Sequence, residues 1–549
     1  MSQQENLTPM RARVNDEGVP PPPRFLLWLV IGAFVLLVIA AAAGLMLLQT
    51  GFSMAGILTV ISRLLPIITL ASIILVVIFR KRLPRALPLI VIGGWALLWL
   101  VGVGAFALYF RNNLAPGQRE TVKSILPFME MFAPPLPAAD TSLPTPVLSD
   151  GGVSPEDLLS APLSLGTPVP TNTPLPAEPT ATPTLMPTTA PTDVVVTAQP
   201  TQQPTVPPTT AAIAPTAETN PVVAAADPAQ PVRAAFKWLT GFRWVKQDWN
   251  NCGPANITMA LSYYGWQESM DYAASYLRPD REDKNVSPSE MVAFVREQSQ
   301  VRALTRIGGD MELLKQLINA GFPVVVETVL DAEAYDWIGH YETIVGYDDT
   351  AGAFYIYDSF IGTGENGLGR PDPYEKFDQN WQDFNRTFIV LYRPEEEATV
   401  ARILGDRADV TRAAEIAAEK AQEEARANPN DAFAWYNLGS ALTQLGQYEN
   451  AANYFDVARR LNTLPWRLTL YTFDIFEAYF NSGRYDDVVA LVDANLLNGG
   501  QYVEENYYWQ GQVLAAQGNT TQAAASFRQA LARNPRFAAA QSALDQLSA

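Results

Sequence analysis

Gln247-Asp-Trp-Asn-Asn-Cys-Gly-Pro-Ala-Asn-Ile-Thr-Met-Ala-Leu-Ser-Tyr-Tyr-Gly265 holds the only cysteine of the chain, Cys252. Behind it, Ile257, Ala260, Leu261 and Tyr264 recur at i, i+3, i+4 and i+7, the spacing of one apolar helix face. Pro254 suits a first helical turn, where a missing N–H costs nothing. The helix therefore begins at Cys252 or just after it. A thiol in that place faces unpaired backbone N–H groups and the positive end of the helix dipole, and both favour the thiolate. Gln247, a short loop earlier, brings an amide donor of the kind that can face a developing oxyanion.

The only histidine, His340, opens Gly339-His-Tyr-Glu-Thr-Ile-Val-Gly-Tyr347, which reads as a strand. Asp348-Asp-Thr-Ala-Gly352 is a turn signal, and Ala353-Phe-Tyr-Ile-Tyr-Asp358 is the returning strand. The start of one strand of an antiparallel hairpin lies beside the end of the other, so His340 and Asp358 become neighbours. A carboxylate there orients the imidazole and stabilises its charged form. Asp348 and Asp349 are the other acids nearby, but they fall in the turn. With one cysteine no intrachain disulfide can form, and one cysteine plus one histidine cannot build a Cys/His zinc site. Nothing in the sequence asks for a metal or an organic cofactor.

In order along the chain, Gln247…Cys252-Gly-Pro-Ala, Tyr263-Tyr-Gly265, the strand Ala320-Gly-Phe-Pro-Val-Val-Val326, Gly339-His340…Val345-Gly-Tyr-Asp348 and Tyr357-Asp358 resemble a C39-like cysteine peptidase domain. The resemblance runs from about Phe236 to Pro394. It implies an α+β papain-like fold, with Cys252 as nucleophile, His340 as general base, Asp358 as orienting acid and Gln247 as oxyanion donor. Better-known C39 peptidases are fused to ABC transporters and cut after double-glycine leaders. This sequence has no Walker motif, so that substrate does not follow. Ser287 and Glu290 have capping-box spacing at a helix start. The Gly- and Pro-rich 360–374 reads as a loop bordering the cleft, and 386–392 as a closing strand.

Ahead of this domain the chain changes character twice. Three long apolar runs, 25–48, 57–79 and 87–110, each reach the ~20 residues that cross a bilayer. A cleaved leader ending near Ala40 to Ala43 would explain only the first run. Arg11, Arg13 and Arg24 precede it, and Arg80, Lys81, Arg82 and Arg85 lie between the second and third runs. The positive-inside rule then puts 1–24 in the cytoplasm and everything after the third span outside, although Arg111, Arg119 and Lys123 run against it. From 134 to 231 lie 23 of the 43 prolines, interleaved with Thr and Ala, and 124–232 holds no Lys or Arg. Such a stretch buries too little apolar surface to offset its ordering entropy, so 111–232 is expected to be a disordered Pro/Thr-rich stalk.

After Pro394 the chain turns helical and Ala-rich, with self-similarity at about 36 residues. Trp435…Leu438-Gly439…Leu442…Gly446…Tyr448…Ala451…Phe455…Ala458 is one copy, and Tyr507…Gly511…Leu514…Gly518…Ala523…Phe527…Ala530…Pro535 another. A degenerate copy holds Tyr479, Gly483, Tyr485 and Val488. The pattern resembles tetratricopeptide repeats, which implies an all-α solenoid with a groove for a peptide or protein.

The expected architecture is thus multi-domain: a tail 1–24, three transmembrane helices in 25–110, the stalk 111–232, a papain-like peptidase domain 233–396 and a repeat solenoid 397–549. The chain has 549 residues, of which 48% are hydrophobic and 17% charged, with a net charge of −18. That charge argues against nucleic acid as a partner, since phosphates need a basic face. The expected partners are a bilayer, a peptide or protein substrate, and a protein held by the repeats. The expected function is that of a bacterial envelope cysteine peptidase acting outside the cytoplasm. The alternatives are an inactive papain-like scaffold and another thiol acyl transfer, deamidation or transpeptidation.

Overall fold

The structure, a computed structural model, describes 63, 65–71, 73–74, 87–114, 116–133, 142–147, 153–160, 163, 233–330 and 336–548. The chain divides into two units, 1–138 and 139–549. In the first, α1 (Leu87–Asn113) is the one helix among the described residues that is long and apolar enough to cross a membrane. It meets the third expected span. The first span and much of the second lie outside the described residues, although 65–71 is helical. After α1 come α2 (Pro116–Ile125) and a 3-10 turn, Pro127–Phe132. Phe110, Leu114, Val122 and Met129 pack together there.

In the second unit, residues expected to be stalk are ordered against the repeats. Residues 142–147 and the short helix α3 (Pro155–Ser160) bury Leu143 and Leu158 in the repeat core. The stalk expectation therefore fails over 116–132 and over these two segments. Isolated leucines among prolines cannot order a chain alone, but a partner surface that buries them can.

The peptidase region is an antiparallel sheet between helices. Its strands are β1 (Phe236–Trp238), β2 (Arg302–Arg306), β3 (Val324–Val329), β4 (Gly339–Asp348), β5 (Ala353–Tyr357), β6 (Arg370–Pro373) and β7 (Phe388–Tyr392). The order is β2-β7-β3-β4-β5-β6, with β1 also on β4. Its helices are α4 (Cys252–Ser262), α5 (Met270–Leu277), α6 (Pro288–Gln298), α7 (Met311–Ala320) and α8 (Tyr374–Gln382).

Alternation sorts the strand residues between two cores. Val324, Val326, Phe388 and Val390 face Leu314 and Leu317 of α7 and Trp381 of α8. Val325, Ile389 and Leu391 face Ile257, Ala260 and Leu261 of α4 and Phe294 of α6. Every residue of α4 from Gly253 to Ser262 is buried, so this helix is the spine of the domain. The capping box at Ser287 and Glu290 forms at the start of α6.

Strand boundaries differ from the sequence reading in places, and β7 starts at Phe388 and not at 386. Ala320 ends α7, and Gly321 closes it in the left-handed region at φ 98, so the strand starts only at Val324, beyond Pro323. The expected 360–374 loop ends in β6, whose two prolines are tolerated because it is a sheet edge.

The remaining helices are α9 (Glu397–Leu404), α10 (Val410–Ala427), α11 (Ala432–Gln444), α12 (Tyr448–Arg460), α13 (Asp474–Asn481), α14 (Tyr485–Leu497), α15 (Glu504–Ala516), α16 (Thr520–Arg533) and α17 (Ala538–Ser548). α11 to α16 form three helical hairpins. The repeated glycines sit where aromatic rings of the next helix press closest: a Cβ on Gly439 would lie 2.9 Å from Phe455, and one on Gly511 2.5 Å from Phe527.

Candidate active site

Cys252 is the first residue of α4 and is half-buried. What holds the helix in place is Asn256, one turn on and fully buried. Its Nδ2 donates to the Tyr341 carbonyl of β4 at 2.6 Å and to Ser359 Oγ at 3.1 Å, and its Oδ1 accepts from Thr343 Oγ1 at 2.8 Å. The catalytic helix and the histidine strand are therefore locked together beside the thiol.

The hairpin closes as its sequence indicated. β4 and β5 pair antiparallel from Asp348 opposite Ala353 to Thr343 opposite Tyr357, with a register shift near Gly346. A Cβ on Gly346 would lie 2.7 Å from the Lys237 carbonyl of β1, so only glycine fits. Asp358 follows directly, and its Oδ1 lies 3.2 Å from His340 Nε2, with both side chains almost fully buried. The same oxygen accepts the backbone N–H groups of Phe360 at 2.6 Å and Ile361 at 2.9 Å. Trp244 Nε1 donates to the Asp358 carbonyl at 2.9 Å.

With Nε2 turned to Asp358, Nδ1 is the ring nitrogen left for Cys252, whose charge and His340's act on each other. The electrostatics follow. Burial opposes ionisation of the Cys252 thiol, but His340, by hydrogen bond and charge, and the backbone N–H groups of Tyr341 and Gly253 outweigh it and hold the thiol below its ordinary range. Burial likewise opposes a charged His340, yet Asp358 and Cys252 raise it well above the usual imidazole value. Asp358 is held below the usual carboxylate range: burial works against this, and the His340 charge and hydrogen bonds prevail.

Asp348 and Asp349 take other work. Asp348 accepts the turn N–H of Thr350 at 2.8 Å, and Asp349 pairs with Arg233 at 2.6 Å and Lys315 at 3.2 Å. Gln247 comes to the same cluster through Ser359, whose Oγ donates to Gln247 Oε1 at 2.6 Å, while the Gln247 backbone N–H donates to the Ser359 carbonyl at 2.9 Å. The bond to Oε1 orients the side-chain amide and leaves Nε2 as its donor end.

Ser359, Asn256 and Trp244 escaped the sequence reading. For Asn256 a signal existed, a polar residue on the apolar face of the nucleophile helix, one turn beyond Cys252. Glu342 lies with His340 and Asp358 in a group whose ligand-type atoms are all within 4.8 Å of one another. Arg370 Nη2 donates to Glu342 at 2.7 Å and supplies positive charge to that group.

A small cleft opens at Cys252. Glu327 and Lys284 line it with Cys252 and His340, and so does Tyr471, which comes from the repeat region. The Tyr471 ring packs on Gly339, where a Cβ would lie 3.0 Å from it. Trp337, Phe384 and Phe433 stack next to Tyr471. Lys284 Nζ donates to the Gly499 carbonyl at 2.7 Å, and Asn285 Nδ2 donates to Glu505 at 2.9 Å. The repeat region thus forms one wall of the cleft, which no periodicity in the sequence announced.

Residues 239–389 match the family described as Peptidase_C39 like family, and 432–463 and 504–537 match the tetratricopeptide repeat. The chain thus contains a C39-like peptidase domain followed by tetratricopeptide repeats. Solved structures similar to it include one described as a C39-like peptidase from Bacillus anthracis, at 18% identity and TM-score 0.24, covering 29% of this chain and 98% of that one. A second is the peptidase domain of Streptococcus ComA, a bifunctional ABC transporter of a quorum-sensing pathway, at 18% identity and TM-score 0.22, covering 29% and 98%. A third is a double glycine motif protease from an AMS/PCAT transporter in complex with its leader peptide, at 19% identity and TM-score 0.19, covering 28% and 96%. No curated protein sequence matches the chain.

Proposed function

We propose that this chain is a membrane-anchored thiol peptidase acting on peptide or protein substrates outside the cytoplasm. The observation that carries the reading is the line Cys252–His340–Asp358, with a thiol held low by His340 and an imidazole held high by Asp358 and Cys252. The Cys252 thiolate attacks a peptide carbonyl. His340 protonates the leaving amine, then takes a proton from the water that hydrolyses the thioester. Asp358 fixes the imidazole and its charge. The Cys252 backbone N–H and Gln247 Nε2 stabilise the oxyanion. The anchor is α1 with the two apolar runs before it, and the basic residues at 80–85 put the catalytic part on the far side of the bilayer.

The Tyr471 wall favours a second reading, in which the domain serves as a scaffold and its thiol is never reached by substrate. The two part in one experiment: full-length chain and its Cys252→Ala variant are incubated with a peptide library and the products read by mass spectrometry. Cleavage that disappears in the variant supports the peptidase. Cleavage by neither, with partner capture unchanged between them, supports the scaffold.

A further inference from the structure

Arg459 is fully buried and yet gives only part of its guanidinium to the repeats: Nη1 donates to Asp487 at 2.7 Å. It also lies over the Tyr479 ring, 5.2 Å from its centre, and two further donors go to the stalk, Nε to the Pro144 carbonyl at 2.7 Å and Nη2 to the Thr145 carbonyl at 3.0 Å. Asp487 accepts the Val147 backbone N–H at 3.0 Å. Ser142 pairs with Pro465 as an isolated antiparallel bridge, and its Oγ donates to Asn462. The segment that covers Arg459 thus also supplies two of its hydrogen-bond acceptors, and the repeats hold it as an extended peptide.

The docked stretch is Ser142-Leu-Pro-Thr-Pro-Val147, and the stalk repeats it as Ser164-Leu-Gly-Thr-Pro-Val169. The two hexapeptides differ only at Pro144 and Gly166. In the docked copy the buried side chains are Leu143 and Pro146, and both recur as Leu165 and Pro168. Position 144 is half-buried and offers Arg459 its carbonyl, which glycine offers as well. The N–H that Asp487 accepts belongs to a valine in both copies. Every feature the groove reads is therefore present twice.

We infer that the repeat domain carries a groove selective for an extended Ser-Leu-x-Thr-Pro-Val peptide, and that 164–169 is its second occupant within the chain's own stalk. The first copy holds the groove because α3 follows it and adds Leu158 to the repeat core, with Arg426 donating to the Leu159 carbonyl at 2.9 Å. No such helix motif follows the second copy, where the sequence runs Pro170-Thr-Asn-Thr-Pro174. Exchange of one copy for the other moves the clamp along the stalk by the spacing between them. This lengthens the chain between α1 and the clamp and shortens the chain between the clamp and β1.

Disulfide trapping in the full chain tests this, in a Cys252→Ser background that removes the only native thiol. Ser142→Cys with Asn462→Cys reports the first occupant, and Ser164→Cys with Asn462→Cys the second. Thr182→Cys with Asn462→Cys reports a stalk position outside either copy. Under mild oxidation the Ser142 pair should close fastest. Adding Leu143→Asp should speed closure of the Ser164 pair at least tenfold and leave the Thr182 pair unchanged. A free peptide of sequence 142–147, but not one with aspartate in place of Leu143 and Pro146, should slow the Ser142 and Ser164 pairs alike, a readout that needs no destabilising variant. If the Ser164 pair closes no faster than the Thr182 pair once Leu143 is changed, or if the free peptide leaves both pairs unaffected, the inference is wrong.

Discussion

Two sets of buried carboxylates in this chain are shifted in opposite directions. Asp358 keeps its charge: it faces a charged His340 and accepts two backbone N–H groups on one oxygen. Asp283, Glu290, Glu504 and Glu505 meet where the peptidase domain abuts the repeats. Burial, and then one another's charges, push Asp283, Glu504 and Glu505 well above the usual carboxylate range, and burial raises Glu290 as well. Their partners are mainly neutral: Asn285 donates to Glu505 at 2.9 Å and Asn534 to Glu504 at 2.6 Å. Glu504 Oε2 and Glu505 Oε2 have no partner among the described residues. The cations close by are Arg278, Lys284, Arg467 and Arg533, with Asp280 paired to Arg533 at 2.9 Å. Burial among other acids thus raises a carboxylate even with cations near, and burial in direct contact with a fixed cation lowers it.

The comparison breaks first at the histidine. His340→Ala removes the cation that both Asp358 and the thiolate depend on. Peptide hydrolysis should fall by on the order of 10⁴-fold or more in a kcat/KM assay, as for loss of a catalytic triad member. Asp358→Asn keeps the shape but not the charge. It should cost roughly 10²–10⁴-fold in kcat and bring the His340 titration, read by NMR, down towards the ordinary imidazole value.

The interface group responds with the opposite sign. Carboxyls whose folded values are raised bind more protons in the folded than in the unfolded state once pH passes the ordinary carboxylate range. Their contribution is fully present below the ordinary carboxylate range and is lost as pH climbs through their raised folded values. Glu504→Gln with Glu505→Gln removes this loss. Thermal unfolding of the full chain should show a gain of about 1–3 kcal/mol at pH 8 and almost none at pH 4. Asp358 works the other way: its stability contribution is present above the ordinary carboxylate range and is lost as pH falls towards its depressed folded value. The smallest effect expected is at the cleft wall. Tyr471→Ala should raise the rate of Cys252 alkylation by about tenfold through access alone, without moving its pH profile.

The same contrast marks what was legible in the sequence. Cys252, His340 and Asp358 could be placed because each lies on a local pattern, the helix start or the two arms of one hairpin, and because two of them are the only residues of their kind. The two cores of the sheet follow from strand alternation and the apolar face of α4. The interface acids, Tyr471 and the docked 142–147 could not be placed so. Glu504 and Glu505 look like any acidic first turn of a helix until α15 is set against Asp283 and Glu290. Leu143 looks like one leucine in a proline-rich tract until Arg459 and Asp487 come together from two different repeats. Those are long-range pairings, fixed by how the repeats pack on the peptidase domain and on the stalk, and short-range periodicity carries no record of them.

The most direct test of the account is the rate of Cys252 alkylation by iodoacetamide as a function of pH, in the full chain and in His340→Ala. If the thiol is held low by His340, the native rate stays high well below pH ~8, and in the variant it drops and recovers only at or above the model thiol value of about 8.5, since burial still opposes the thiolate. A native thiol that titrates near that model value with or without His340 would contradict the ion pair and the hydrolysis built on it.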